Sequence, residues 1–353
     1  MATSQVNPAE EIRKEINNRK SELNEVIKKS GLPSLREEYS DLDTNIANLF
    51  MRITKIRERN YAFLKMAEKQ AAEYQQQWTF KKTPILNQIN TEANNLRAGL
   101  RPLETRISGL QVAMTSNLAV SNLKNDLDNY ENRVSAIETN IRGQYEKLKA
   151  EVEKLSSEFT EIEETLDLCE AASFGFLPGE AIVAAVKAVW ARDGKEKKED
   201  PDGILYLTDQ RLIFEQKEEV ATKKVLFVTT ERELVQQKLF ETPVVSVESI
   251  KATKQGLFKN EDWIELVLAT GSFAREVNLH LKGQDSELWQ RRVTQTKNHE
   301  IDADRAIPVD KAAVEKVKSA PTECPNCGGV ISAPVLRGQD TIKCEFCGNV
   351  IRL

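Results

Sequence analysis

The chain has 353 residues, of which 30% are charged and only 6% aromatic, and its mean hydropathy is -0.48. Fifty Lys and Arg stand against 55 Asp and Glu, so the net charge of -5 argues against bulk attraction to nucleic acid. This length leaves room for two or three domains, and so many charges with so few aromatics exclude one large core in favour of long solvated helices plus smaller domains.

No apolar run approaches the roughly 18 residues of a membrane span. The opening Met1-Ala-Thr-Ser-Gln-Val6 has neither a basic region nor an apolar core, so no signal peptide is expected. Residue 2 is not Gly and the chain ends Ile351-Arg352-Leu353, so no lipidation motif is expected either. The chain reads as cytoplasmic, with a peripheral place at a membrane as an alternative.

Residues 8–30 predict a first helix with Ile12, Ile16, Leu23 and Val26 on one face. Gly31-Leu32-Pro33-Ser34 breaks it, with Ser34 as the next N-cap and Glu37 three residues on. A heptad seam then runs through Leu35, Tyr39, Leu42, Ile46, Leu49, Ile53, Ile56, Phe63, Ala67 and Tyr74, predicting one long helix. Asn60 interrupts the seam, either fixing register or sitting on a solvated flank. Lys81-Lys82-Thr83-Pro84 predicts a kink or a turn. A second seam follows at Leu86, Ile89, Ala93, Leu96, Leu100, Leu103, Ile107, Leu110 and Met114, kinked at Pro102. Thr115 to Asn122 is the hairpin candidate. A third seam from Leu123 to Cys169 slips near Gly143. The expected layout is an N-terminal helix and turn over 1–33 and a long α-helical coiled coil over 34–170. The seams bury one another within one chain or in a homo-oligomer; their unequal lengths, about 40, 30 and 45 residues, favour the oligomer.

Beyond Phe174 the period shortens to two. Strands are predicted at Ile182–Trp190, Gly203–Thr208, Arg211–Gln216, Lys223–Val228, Val244–Ile250, Trp263–Leu268 and Ala274–Leu281, then a helix from Gln284 to Lys297 capped by Asp285 or Ser286. The stretch Gly203-Ile-Leu-Tyr-Leu-Thr-Asp-Gln-Arg-Leu-Ile-Phe214, the element Phe176-Leu-Pro-Gly-Glu180 and the stretch Thr242-Pro-Val-Val-Ser-Val-Glu-Ser-Ile250 resemble GRAM and bacterial PH-like domains. That resemblance covers 174–297 and implies a PH/GRAM-like β-sandwich with a C-terminal helix. Residues 298–321 read as a linker.

The last module, 322–353, contains Cys324-Pro-Asn-Cys327-Gly-Gly and, sixteen residues on, Cys344-Glu-Phe-Cys347-Gly-Asn. Four thiolates in two Cys-x-x-Cys knuckles suit one Zn²⁺ in a tetrahedral, closed and therefore structural site, and the pattern resembles a zinc ribbon. Iron and disulfides are the alternatives. Gly328 and Gly348 follow the second Cys of each knuckle, where the backbone must turn tightly. Arg337, Lys343 and Arg352 are balanced by Glu323, Asp340 and Glu345, and Phe346 is the sole aromatic, so nucleic acid is a poor fit.

No phosphate loop, dinucleotide fingerprint or nucleophile elbow is present, so no catalytic residues are expected. His280 and His299 read as edge and surface residues, Cys169 as an apolar seam residue, and Glu163-Glu164 as a solvated helix face. In the run Lys195-Glu-Lys-Lys-Glu-Asp200, acidic residues alternate with lysines, which disfavours a phosphate pocket. The composite expectation is a non-enzymatic scaffold or adaptor with protein partners. A lipid-binding peripheral membrane protein and a nucleic-acid-associated regulator are the rivals.

Overall fold

The computed structural model describes residues 8–112, 115–225 and 228–353. The opening residues read for targeting signals, Met114 at the end of the second seam, and Leu226 and Phe227 within the fourth expected strand lie outside the described residues. Five helices come first: α1 (Pro8–Lys29), α2 (Pro33–Glu58), α3 (Ala67–Ser108), α4 (Asn117–Arg142) and α5 (Glu146–Glu170). Seven strands follow: β1 (Ile182–Trp190), β2 (Asp202–Thr208), β3 (Arg211–Val225), β4 (Val228–Pro243), β5 (Val247–Gln255), β6 (Glu261–Leu268) and β7 (Glu276–Lys282). The chain closes with α6 (Ser286–Lys297), a 3-10 turn (Glu300–Asp304), α7 (Lys311–Lys318), β8 (Thr341–Lys343) and β9 (Val350–Arg352). Two compact units result. One ends at Phe50 and resumes over Lys69–Ser157; the other comprises Met51–Glu68 and Glu158–Leu353. Among the described residues no helix is long and apolar enough to cross a membrane.

In the first unit the heptad seams face one another. Leu35, Leu42, Ile46 and Leu49 are buried with Ile89, Leu96 and Leu100 of α3, Leu123, Leu127 and Val134 of α4, and Leu148, Val152 and Leu155 of α5. Ion pairs Lys29–Glu131 (2.6 Å) and Glu38–Arg142 (2.8 Å) set the first line of helix parallel to the third. Trp78 Nε1 donates to Asp43 at 2.7 Å and Arg106 pairs with Asp126 at 2.7 Å, so α3 runs antiparallel to both. The seams match because α1 leads into α2 through a turn at Ser30–Leu32, α4 into α5 through a turn at Gly143–Tyr145, and α3 is unbroken for 42 residues. Pro84 and Pro102 both lie inside α3, so Lys81–Pro84 forms no turn. Since one chain buries its own seams, their burial does not require a second copy.

The second unit contains the point where the expected 35–74 helix ends. Asn60 adopts φ 62°, a left-handed conformation that asparagine tolerates better than most residues, and it closes α2. It is exposed and fixes no register. Beyond it, Arg57 gathers the carbonyls of Tyr61 (2.9 Å) and Leu64 (2.8 Å) and pairs with Glu68 (2.9 Å), turning the chain without glycine.

The strands form one antiparallel sheet in the order β4-β3-β2-β1-β7-β6-β5. Leu205, Tyr206, Phe214, Ile264, Leu266 and Leu279 are buried in it, and α6 closes it with Trp289 and Val293 wholly buried. Asp285 is the N-cap, accepting from Leu288 N at 2.9 Å. The pattern of seven antiparallel strands and a capping helix is that expected of a PH-like domain. One part of the strand reading is corrected: Lys223–Val228 is not a strand of its own. β3 and β4 form one long hairpin, with Lys217 opposite Gln236. Within residues 298–321, Ala306 N and Ile307 N donate to Ala62 O at 2.7 and 3.2 Å, and Asp304 O accepts from Lys65 N at 3.0 Å.

Candidate metal centre

The C-terminal module is built on two short backbone turns. Gly328 N donates to Cys324 O at 2.8 Å and Gly348 N to Cys344 O at 3.0 Å; the glycines sit at φ 71° and 72°, where a side chain would be strained. Cys324 N donates to Gly329 O (2.8 Å) and Cys344 N to Asn349 O (2.9 Å), so each knuckle is closed twice. The β8–β9 pairing, with Ile342 opposite Ile351, closes the second knuckle as the turn of a hairpin, as the Glu323–Val330 bridge closes the first. Cys324, Cys344 and Ile351 form a small core with Ile331 and Ile342 packed against it.

The four sulfurs converge. Their ligand atoms lie within 4.8 Å of one another, and Cys324–Cys347 and Cys327–Cys344 are each 3.7 Å apart, too far for disulfides. A tetrahedron with metal–sulfur bonds of about 2.3 Å has edges of about 3.8 Å, so the donor set fits a tetrahedral, thiolate-preferring ion. The Asn349 N–H, with help from the Asn326 amide, draws the Cys347 thiol down to about 6. Burial opposes ionisation of Cys324, but the N–H groups of Asn326 and Cys327 outweigh it and its pKa also falls. Cys327 goes the other way, up to about 12: the Gly329 N–H favours its thiolate, yet the crowded neighbouring sulfurs overrule it. Several negative charges this close repel one another, and a dication among them removes that cost.

The two knuckles are an internal repeat. Cys324-Pro-Asn-Cys-Gly-Gly-Val-Ile331 and Cys344-Glu-Phe-Cys-Gly-Asn-Val-Ile351 share five of eight residues. Each Val is exposed, at 62% for Val330 and 60% for Val350, while the Ile after each is packed inward. This eight-residue repeat, its copies twenty residues apart, was readable in the sequence alongside the cysteine spacing. Phe346, 71% exposed, has its ring edge 2.5 Å from where a Cβ on Gly329 would stand, so a side chain there would push the ring aside.

What holds the module to the sheet domain is not local in sequence. Asp209, in the β2–β3 turn, is buried and its Oδ2 accepts from both Arg337 and Arg305, while Ala181 N donates to its Oδ1 at 3.0 Å. Gln210 makes a two-way amide bridge to the same loop: its Nε2 donates to Arg337 O at 3.1 Å and its Oε1 accepts from Arg337 N at 2.6 Å. Arg305 also stacks over Phe63, 4.8 Å from its centroid. The other residues singled out in the sequence lie elsewhere. His280 is buried, stacked on Trp263 at 4.7 Å and bonded to Glu196, and is not a simple edge residue. Glu196 also takes Lys282 at 3.0 Å and Asp200 accepts from Lys197 N at 2.8 Å, so the acids of the Lys195–Asp200 run serve contacts within the protein. His299 is exposed beside Asp302, 3.6 Å away. Burial pushes the Cys169 thiol up to about 12.

No family model and no curated protein matches the chain. Solved structures with a similar fold include the Vps36 N-terminal PH domain, 17% identical over 35% of this chain and 83% of that one, with a TM-score of 0.24. Another is a DUF1696 family protein with a pleckstrin-homology domain from Shewanella loihica PV-4, 14% identical over 38% of this chain and 91% of that one (TM-score 0.22). A third is the PDZ-RhoGEF DH/PH domains in complex with GTP-γ-S activated RhoA, 11% identical over 84% of this chain and 96% of that one (TM-score 0.26). These are similarities of fold alone.

Proposed function

We propose that the chain is a non-enzymatic scaffold or adaptor that recognises protein partners through its PH-like domain and its Cys₄ module. Cys324, Cys327, Cys344 and Cys347 hold one structural Zn²⁺, and the module is a zinc ribbon. With four cysteine ligands no position is left for a substrate or water, so the ion shapes the module and performs no hydrolysis. The observation that carries this reading is the display of Val330, Phe346 and Val350, each at least 60% exposed, on a module of about 30 residues. Large apolar groups held outward on a rigid metal-bound turn are the composition of a protein interface core. The test is affinity capture with the zinc-loaded chain and with its Phe346→Asp variant. Partners should be lost in the variant at unchanged zinc content; the same partners at the same yield would sink the reading.

A second reading, a peripheral membrane protein, is favoured by one other feature. Leu257 and Phe258, 91% and 83% exposed, stand side by side at the β5–β6 tip next to Lys259. An aromatic–aliphatic pair beside a lysine suits a bilayer interface. Flotation with anionic and neutral vesicles, lost on Leu257→Asp with Phe258→Asp, would place this reading first. Failure of the parent chain to float would remove it.

A further inference from the structure

Within the second unit a cavity of about 690 Å³ lies between the β2–β3 turn, the end of α6, α7 and the loop before β8. Its wall is aliphatic, with Val244, Val314, Val317, Val335 and Leu336 prominent. No residue of α7 is buried, although Val314 and Val317 form an apolar stripe on it. The helix is held by its Asp310 cap and by a Lys316–Asp340 pair at 2.7 Å, so its apolar side borders space and not protein. An aliphatic space of this size is in the range of small-molecule sites.

One end of the cavity is cationic. Arg305 and Arg337 meet there on Asp209, and over the whole lining Arg305, Arg337 and Lys318 stand against Asp209 and Asp302. Arg305 is spent, bonding both Asp209 and, through Nε at 2.7 Å, Asp302. Lys318 pairs with Glu315 at 2.8 Å. Arg337 shares Asp209 with Arg305 and uses one Nη for it; its Nε and other Nη have no hydrogen-bond partner among the described residues. A half-satisfied guanidinium at the end of an aliphatic cavity is suited to a carboxylate.

We propose that this cavity binds a long-chain fatty carboxylate, with the chain along Val314, Val317 and Leu336 and the carboxylate on Arg337. This goes beyond the adaptor reading: it needs the 322–353 module folded, since that module supplies Leu336 and Arg337, but it does not use the exposed Val330, Phe346 and Val350. The experiment titrates the purified, zinc-loaded full chain with a fluorescent long-chain fatty acid and competes it with oleate, methyl oleate or a long-chain alkyl phosphate. Saturable binding of one molecule per chain is expected, displaced by oleate and at least tenfold more weakly by methyl oleate. Arg337→Gln should weaken binding at least tenfold. Val314→Trp, which fills the space from half-exposed α7 without touching Asp209, should abolish it; zinc content and near-ultraviolet circular dichroism are checked for each variant. The proposal is overturned if binding does not saturate, if the ester competes as well as the acid, if only the alkyl phosphate competes, or if Val314→Trp binds like the parent.

Discussion

Arg211 grips Glu180 at two points, Nε to Oε1 at 2.9 Å and Nη2 to Oε2 at 2.6 Å, with the carboxylate wholly buried. Thr208 Oγ1 donates to the same Oε1 at 2.6 Å, and Arg211 reaches Glu241 at 2.8 Å with its remaining Nη. Glu180 ends the Phe176–Glu180 element and Arg211 ends the Thr208–Arg211 turn, so two separate stretches of the PH/GRAM-like resemblance meet as one buried pair. Deleting one partner strands a charge in the interior, which costs about 3–5 kcal/mol. Arg211→Ala should therefore lower the stability of the sheet domain by that order, and Glu180→Gln by less because the amide keeps part of the hydrogen bonding. Urea unfolding followed by tryptophan fluorescence measures both; a loss below about 1 kcal/mol for Arg211→Ala would show that the pair does not hold the domain together.

In the helical unit, Glu38 accepts from Arg142 at 2.8 Å and from Tyr145 Oη at 3.1 Å, with Lys149 3.5 Å away. The Arg142 hydrogen bond, against the opposing effect of burial, holds the Glu38 carboxyl below the ordinary glutamate value of 4.5. A carboxyl depressed in the folded state contributes stability above its unfolded pKa and loses it as pH falls through the lower folded value. Acid should therefore begin to weaken this contribution below about pH 4.5 and not before. Glu38→Gln should cost about 1 kcal/mol at pH 7, since the group is partly exposed, and should flatten the loss in acid. Thermal midpoints of both proteins at pH 7 and at descending pH give the comparison, and parallel curves would exclude Glu38 as the source.

The heptad seams were legible because burial on one side of a helix imposes a period that survives in the residues themselves. Where the first long seam stops was not, because Asn60 in an apolar line looks the same whether it fixes register or ends a helix; only its left-handed backbone decides. The β3–β4 hairpin escaped for the opposite reason. Beyond Gln216, β3 and β4 carry charges at positions where a buried strand would show alternation, so pairing left no hydrophobic trace. The four-cysteine cluster was legible because ligand spacing is a local constraint. The Asp209–Arg337 contact, 128 residues apart in the chain, has no local signature.

Gly99 lies within α3, where glycine to alanine ordinarily stabilises by about 1 kcal/mol. Here a Cβ would stand 2.7 Å from Tyr130 Oη, which donates to Leu96 O. Gly99→Ala should therefore destabilise the helical unit, and Tyr130→Phe, which removes the obstructing oxygen, should restore part of the loss in the double variant. Chemical denaturation of the two single variants and the double variant gives a coupling energy; a stabilising Gly99→Ala or strict additivity would refute the steric account.

Cys344 and Cys324 are buried at the centre of a core that otherwise contains one buried residue, Ile351. So small an apolar core cannot hold a module of this length together, and on the proposed zinc site metal binding would supply folding free energy on the order of 10 kcal/mol or more. Cys344→Ser should abolish stoichiometric zinc and unfold 322–353 while leaving the helical signal intact. In the parent chain a strong chelator should expose thiols to alkylation that are protected when metal is bound. Cys327 and Cys347 are solvent-exposed, so their protection cannot come from burial and must come from the ion. Full zinc content in Cys344→Ser, or rapid alkylation of Cys347 in the zinc-loaded chain, would contradict a four-thiolate site.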